Sequence, residues 1–163
     1  MTPMNRRTFV ATLATLFAGY RVASAQPKPQ SPAKIEKLKL SVEEWQKRLT
    51  PEQFHVLRQE GTERPGSSPL NGEKRNGTFV CAGCDLPLFR SETKYESGTG
   101  WPSFYSFIPG ALETRTDFKL ILPRTEYHCA RCEGHQGHVF DDGPKPTGKR
   151  YCNNGLALKF IPA

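Results

Sequence analysis

No stretch of this chain supplies the roughly 20 consecutive apolar residues that a bilayer-spanning helix requires, so none reads as a permanent membrane anchor. Aliphatic residues are scarce, while glycine and proline occur 14 times each. A domain of that composition gains much from a staple. An even set of cysteines is lacking: Cys81, Cys84, Cys129, Cys132 and Cys152 make five, so a full disulfide framework leaves one thiol over. Acids are outnumbered, 16 to 23, for a formal charge of +7. That excess is too small and scattered to form the basic stripe with interleaved aromatics of a nucleic-acid binder.

The first residues read as an address and not as part of a fold. Asn5-Arg6-Arg7-Thr8-Phe9 is followed by a short apolar stretch and by Ala23-Ser24-Ala25. Charged region, apolar region and small-residue cleavage site, in that order, make a secretory signal. The paired arginines point to the twin-arginine route and to the bacterial periplasm. Residues 1–25 are therefore expected to be removed, after which the mature protein inserts in no membrane. Their loss deletes Arg6, Arg7 and Arg21 and no acid, leaving a charge of +4. Residues 26–40, opening with Gln-Pro-Lys-Pro-Gln-Ser-Pro, read as a proline-rich linker. Residues 41–163 then have the size of one domain with one core.

Two short helices are expected to open that domain. Ser41 and Glu44 form a capping box, with Val42, Trp45 and Leu49 at helical spacing behind it. Thr50 caps a second helix with Pro51 at its first position, and Phe54 and Leu57 face the core. From Gly61 to Gly77 the chain reads as loop. Short strands follow: 78–80, an alternating run from Phe118 to Leu122, 125–129 and 156–160. The spacing suggests a mainly β fold, an antiparallel sandwich or small barrel.

Cys81-Ala-Gly-Cys84 and Cys129-Ala-Arg-Cys132 are two C-x-x-C knuckles, each at the end of a predicted strand. Four thiolates at this spacing suit a closed, structural zinc site, and Gly83 is expected to supply the tight turn. Two disulfides between the knuckles are the alternative in an oxidising compartment. Export in the folded state favours zinc loaded beforehand. Cys152 remains unpaired, with Arg150 two residues away to lower its pKa. Gly134-His135-Gln136-Gly137-His138 places two imidazoles near an Asp-Gly turn, where they can act as acid–base groups. Gly98-Thr99-Gly100-Trp101-Pro102-Ser103-Phe104 is a glycine-hinged loop carrying an indole plate, a good seat for a sulfur-bonded methyl group.

In order along the chain, Cys81-x-x-Cys84, Lys94–Phe104, Arg124-Thr-Glu126, Cys129-x-x-Cys132, His135-x-Gly-His-Val-Phe140, Asp142-Gly-Pro144 and Thr147-Gly-x-Arg-Tyr-Cys-x-Asn154 resemble the methionine-(R)-sulfoxide reductase B family. The resemblance covers roughly residues 41–160. It implies two antiparallel sheets around an active site, with one structural zinc on the four knuckle cysteines. It further implies Cys152 as nucleophile, His135, His138 and Asn154 around the sulfoxide oxygen, and Arg150 tuning the thiolate. Trp101, with Phe104, would hold the substrate's methyl group. Substrates would be oxidised proteins or peptides, reduced by a monomer. Gln136 and Asn153 replace apolar residues common in the family, with little effect expected. Pro65–Pro69 differs from the usual aromatic-bearing loop. Thr99 stands where many members carry a resolving cysteine, so a thioredoxin-like or small thiol must regenerate Cys152 directly. The rival readings are a zinc-clamped binding module, a zinc-ribbon nucleic-acid binder and a disulfide-stapled envelope protein. The first has no need of a thiol beside Arg150 and two histidines.

Overall fold

A computed structural model describes residues 35–119 and 122–163. The expected signal and the start of the linker lie outside the described residues. Residues 35–40 have no regular secondary structure, the Leu38 amide donates to the Arg131 carbonyl at 2.7 Å, and Ile35, Leu38 and Leu40 pack on the core.

Two helices follow, α1 (Val42–Arg48) and α2 (Pro51–Gln59), each opened by a reciprocal capping box, from Ser41 and Glu44 and from Thr50 and Gln53. Each box satisfies two of the backbone N–H groups that a helix start leaves unpaired. Trp45, Leu49, Val56 and Leu57 are buried beneath the helices. The Arg58 guanidinium covers the Trp45 ring at 4.8 Å. Among the described residues no helix is long and apolar enough to cross a membrane.

Among the described residues nine strands follow: β1 (Gly77–Cys81), β2 (Pro87–Arg90), β3 (Lys94–Tyr95), β4 (Ser103–Phe104), β5 (Leu112–Asp117), β6 (Arg124–Cys129), β7 (His135–Phe140), β8 (Arg150–Asn153) and β9 (Leu158–Pro162). They form two antiparallel sheets, ordered β2-β1-β9 and β3-β4-β8-β7-β6-β5. The core lies between them. Phe79 and Phe89 from the small sheet meet Phe104 from the large one, at 5.0 Å edge-on and 4.1 Å stacked. All three rings are fully buried, and burial of each stabilises the fold by about 1.5–3 kcal/mol. The architecture is the expected mainly β one.

The run at 118–122 departs from expectation. The strand ends at Asp117, and Phe118 and Leu122 are 76% and 75% exposed. Residues 120 and 121 lie outside the described residues. The alternation there matches a strand, but none of the described residues 118, 119 and 122 is in one; β5 instead uses the polar run Leu112–Asp117, paired along its length with β6.

Candidate active site and metal centre

The two knuckles fold alike. Cys81 N–H bonds the Leu86 carbonyl and Asp85 N–H returns to Cys81; Cys129 bonds Gly134 and Glu133 returns to Cys129, all at 2.9–3.0 Å. The residue after each second cysteine takes the left-handed conformation, Asp85 at φ 60° and Glu133 at φ 58°. The tight turn is therefore made at Asp85, not at Gly83 as expected. One sulfur from each of Cys81, Cys84, Cys129 and Cys132 lies within 4.8 Å of the others, all four buried. Two of the separations are 3.6 Å (Cys81–Cys132) and 3.5 Å (Cys84–Cys129). A disulfide requires about 2.05 Å, whereas four sulfurs about 2.3 Å from a tetrahedral ion stand about 3.8 Å apart. The cluster fits zinc. Arg58 and Arg131 donate to the Cys132 and Cys84 carbonyls at 2.7 and 3.3 Å, placing positive charge beside it.

The large sheet brings the remaining candidates together. Directly paired residues share a face, and one row across it reads Tyr95, Ser103, Cys152, His138, Glu126, Arg115. Two positions along each strand, Arg150, Phe140, Arg124 and Asp117 share that face. The register of β6 and β7 shifts between Tyr127 and His128, leaving Gln136 as an extra residue. On a regular strand residues three apart face opposite sides. This bulge turns His135 and His138 to one side instead, with ring centroids 5.4 Å apart. Gln136 itself faces inward and is fully buried; its amide donates to Cys81 Sγ at 3.5 Å and lies 3.4 Å from the amide of Asn153, which is fully buried as well. Asn153 Oδ1 accepts from Tyr127 at 2.9 Å. These two polar replacements are thus accommodated by each other, by a metal ligand and by Tyr127.

Cys152 sits in a cleft of about 130 Å³ lined by Thr62, Trp101, Arg124, His138, Phe140 and Asn154, among others. Close approach of β7 to β8 requires Gly137, where an added Cβ would lie 1.9 Å from the Cys152 carbonyl oxygen. Trp101 follows Gly100, at φ 90°, and its indole donates to the Glu63 carbonyl at 3.2 Å. Asn154 is held on both sides: its Oδ1 accepts from Glu63 N–H at 3.1 Å, and its Nδ2 donates to the Gln136 carbonyl at 3.1 Å. Glu63 is buried, and its carboxylate accepts from Gly155 and Leu156 N–H at 2.6 and 2.9 Å. Nothing in its sequence neighbourhood marks Glu63, because its partners lie some 90 residues away in the chain.

Arg150 lowers the Cys152 thiol, as expected, but does not outweigh its burial. Its guanidinium is bound by Asp142 through two 2.8 Å hydrogen bonds and stacks on Phe140 at 4.3 Å. Burial pushes the Cys152 thiol up; Arg150 and the Thr99 hydroxyl oppose this and Asp142 adds to it, leaving a net rise. His138 Nε2 bonds Asp117 Oδ2 at 2.8 Å, yet burial outweighs Asp117 and draws the imidazole below its usual range. His135 is buried, its Nδ1 bonds Glu126 Oε1 at 2.7 Å, and its Nε2 is without a partner. Burial alone would raise the Glu126 carboxyl, but His128, His135 and Arg115 hold it low. His135 lines a neighbouring pocket of about 330 Å³, which His138 and Arg124 share with the Cys152 cleft. Phe104, expected to touch substrate, is fully buried against Phe89 and Phe79 and does not line the cleft. It holds β4 against the core, leaving Trp101 and Phe140 as the cleft's aromatics.

A family model described as the SelR domain matches residues 49–162. The chain is 51% identical over 142 residues to peptide methionine sulfoxide reductase B1, chloroplastic, of Arabidopsis thaliana, covering 85% of this chain and 70% of that protein. It is 55% identical over 121 residues to the peptide methionine sulfoxide reductase MsrB of Methanosarcina barkeri, covering 74% and 85%. With that of Pseudomonas putida it shares 52% over 130 residues, covering 78% and 97%.

Proposed function

This chain belongs to the SelR-domain family of peptide methionine sulfoxide reductases B, and on that premise we propose that Cys152 is the nucleophile with which it reduces methionine-(R)-sulfoxide. The enzyme is a peptide-methionine (R)-S-oxide reductase and acts on oxidised proteins. One observation carries the assignment of its chemistry: Cys152 alone stands outside the four-sulfur cluster, and it lies in a cleft with Trp101, His138 and Asn154.

The sulfoxide's methyl group rests against Trp101, whose plane is fixed by its bond to Glu63. Cys152 gives up its proton to solvent, from which His138 is later reprotonated, and the thiolate attacks the sulfoxide sulfur, forming an S–S bond. Negative charge gathers on the sulfoxide oxygen, which takes a proton from His138. That oxygen then passes to Cys152 as its S–S bond to the substrate breaks. Methionine leaves, and Cys152 is a sulfenic acid, oxidised by the two electrons that the substrate gained. Asn154, with both ends of its amide committed, serves as a fixed wall. Arg150, tied to Asp142, limits the cost of the buried thiolate without abolishing it.

No second thiol in the chain is free to resolve the sulfenic acid. Thr99 stands beside Cys152, and the other four cysteines belong to the cluster. An external thioredoxin-like or small thiol therefore regenerates the enzyme, which works as a monomer. Zinc on Cys81, Cys84, Cys129 and Cys132 would clamp the two knuckles, a structural task only. The arginine pair and the small-residue site before Gln26 support export of the folded protein and repair of oxidised envelope proteins. Retention of an Arg6→Lys, Arg7→Lys double variant in the cytoplasm tests that route; unchanged export refutes it.

The decisive experiment is turnover of the separated R and S epimers of a methionine-sulfoxide peptide with dithiothreitol, comparing the native protein with Cys152→Ser. The expected result is reduction of the R epimer alone and an inactive variant. Activity retained in Cys152→Ser overturns the nucleophile. Without reductant, one methionine per enzyme and an oxygen atom gained on Cys152 are expected by mass spectrometry, with no intramolecular disulfide.

A further inference from the structure

Two carboxylate–imidazole pairs stand side by side on the open face of the large sheet, Glu126 with His135 and Asp117 with His138. Only the second reaches the cleft that holds Cys152. Asp117, the last residue of β5, falls in none of the sequence motifs. Its carboxylate is fixed from three directions: Oδ1 accepts from Lys119 N–H at 2.8 Å, and Oδ2 accepts from Arg124 Nη2 at 2.7 Å and from His138 Nε2 at 2.8 Å. The Asp117 side chain is 10% exposed and that of His138 14%. His138 Nδ1 has no protein partner among the described residues.

We propose that Asp117 is the positioning residue for His138: by accepting the Nε2 proton it fixes the ring's tautomer and leaves Nδ1 as the nitrogen that serves the cleft. A carboxylate on one ring nitrogen settles which nitrogen keeps its proton and also favours the imidazolium. The proton delivered to the sulfoxide oxygen then comes from Nδ1–H of the imidazolium, and His138 is left neutral with its proton on Nε2, still bonded to Asp117. The inference rests on Cys152 as the nucleophile, because only then does charge develop on that oxygen.

The charges around His138 explain the need for such a residue. Arg115 and Asp117 face it from β5, Lys119 from the segment after β5, Arg124 and Glu126 from β6, His135 from its own strand, Cys152 from β8, and Glu60 from the end of α2. Arg115 and Lys119 are engaged by Glu60, and Arg115 also by Glu126. Arg124 and His135 both work against a protonated His138, as burial does. Asp117 is the one acid bonded directly to the ring. Arg124 has a double role: it disfavours the imidazolium but holds the carboxylate that favours it.

The test uses the full mature chain with zinc bound, as native protein, Asp117→Asn and Asp117→Ala. Nitrogen NMR of imidazole-labelled protein reads the His138 tautomer, and kcat and KM for an R-sulfoxide peptide are followed against pH. The native protein is expected to show neutral His138 as the Nε2–H form. Asn, which still accepts that proton but carries no charge, keeps the tautomer and moves the basic limb of kcat down by about one pH unit. Its kcat at neutral pH falls about tenfold, a share of the 10²–10⁴-fold typical of acid–base catalysis, with KM changed less than about twofold. Ala loses the tautomer preference as well.

A folded, zinc-loaded Asp117→Ala protein with the native tautomer and an unmoved pH limb overturns the proposal. If neither variant folds, the native protein decides alone, since a neutral Nδ1–H form in it is equally fatal. Loss of all turnover in the native protein would instead strike the nucleophile reading, while the tautomer measurement still tests Asp117.

Discussion

Glu63 offers the sharpest prediction, because it stabilises the site entirely through contacts distant in sequence. Its carboxylate is the acceptor for two successive backbone N–H groups, Gly155 at 2.6 Å and Leu156 at 2.9 Å. Its own N–H and carbonyl hold Asn154 and Trp101. Glu63→Ala leaves the first of those N–H groups buried without a partner and the second only partly reachable by water. A hydrogen bond to a charged acceptor contributes about 1.5–3 kcal/mol, and a buried donor left unpaired costs about 1–3 kcal/mol. Counting each site once gives a loss of about 3–4 kcal/mol. For a domain of this size that lowers Tm by about 10 °C or more, read by calorimetry on zinc-loaded protein. Glu63→Gln keeps one acceptor but turns an amide toward the other N–H, so it recovers little. The kcat of Glu63→Ala should fall as well, since the main chain that fixes Asn154 and Trp101 loses its anchor. A Tm within about 2 °C of the native value would show that the loop from Gly61 to Ser68 holds without this carboxylate, and the reasoning fails.

Four other outcomes follow from the same geometry. Gly137→Ala drives a Cβ to within 1.9 Å of the Cys152 carbonyl oxygen, so β7 and β8 must separate; soluble protein with native Tm and activity would contradict that register. Because the Cys152 pKa is raised, with Asp142 contributing to the rise, alkylation by iodoacetamide should be slow at neutral pH and quicken as pH climbs. Asp142→Asn frees Arg150, lowers that pKa and speeds alkylation at neutral pH; an unchanged rate rejects the Arg150–Asp142 balance. Gln136→Leu removes the amide proton from Cys81 Sγ and orphans part of the Asn153 amide. Faster zinc release to a chelator is expected, with much of the lost stability restored by Gln136→Leu, Asn153→Val together; a double variant as weak as the sum of the singles refutes their coupling.

The chemistry-bearing residues were legible in the sequence because each announces itself locally. Knuckle spacing marks four ligands, capping boxes at Ser41 and Thr50 mark two helices, and an odd fifth cysteine marks Cys152. Those signals depend on residues within a few positions of one another, which chain geometry alone brings together. What needed the tertiary structure depends on partners far apart. Phe104 belongs to the packed interior and not to the substrate because two strands of the other sheet arrive above it. Strand β5 uses a polar run because β6 stands ready to pair with it, and the pairing stops at Asp117, before the more regular pattern begins. The three-residue spacing of His135 and His138 gives opposite faces on a regular strand; the bulge at Gln136 sets them on one. Arg150 beside Cys152 promises a low pKa until Asp142 and burial offset it. Glu63 and Asp117 carry no motif at all, since a carboxylate becomes a positioning group only through the donors that folding aims at it. The sequence by itself thus determined which groups the site possesses. Only the tertiary structure decided how buried, how oriented and how charged each of them is, because those properties belong to the whole set of neighbours and to no single stretch of chain.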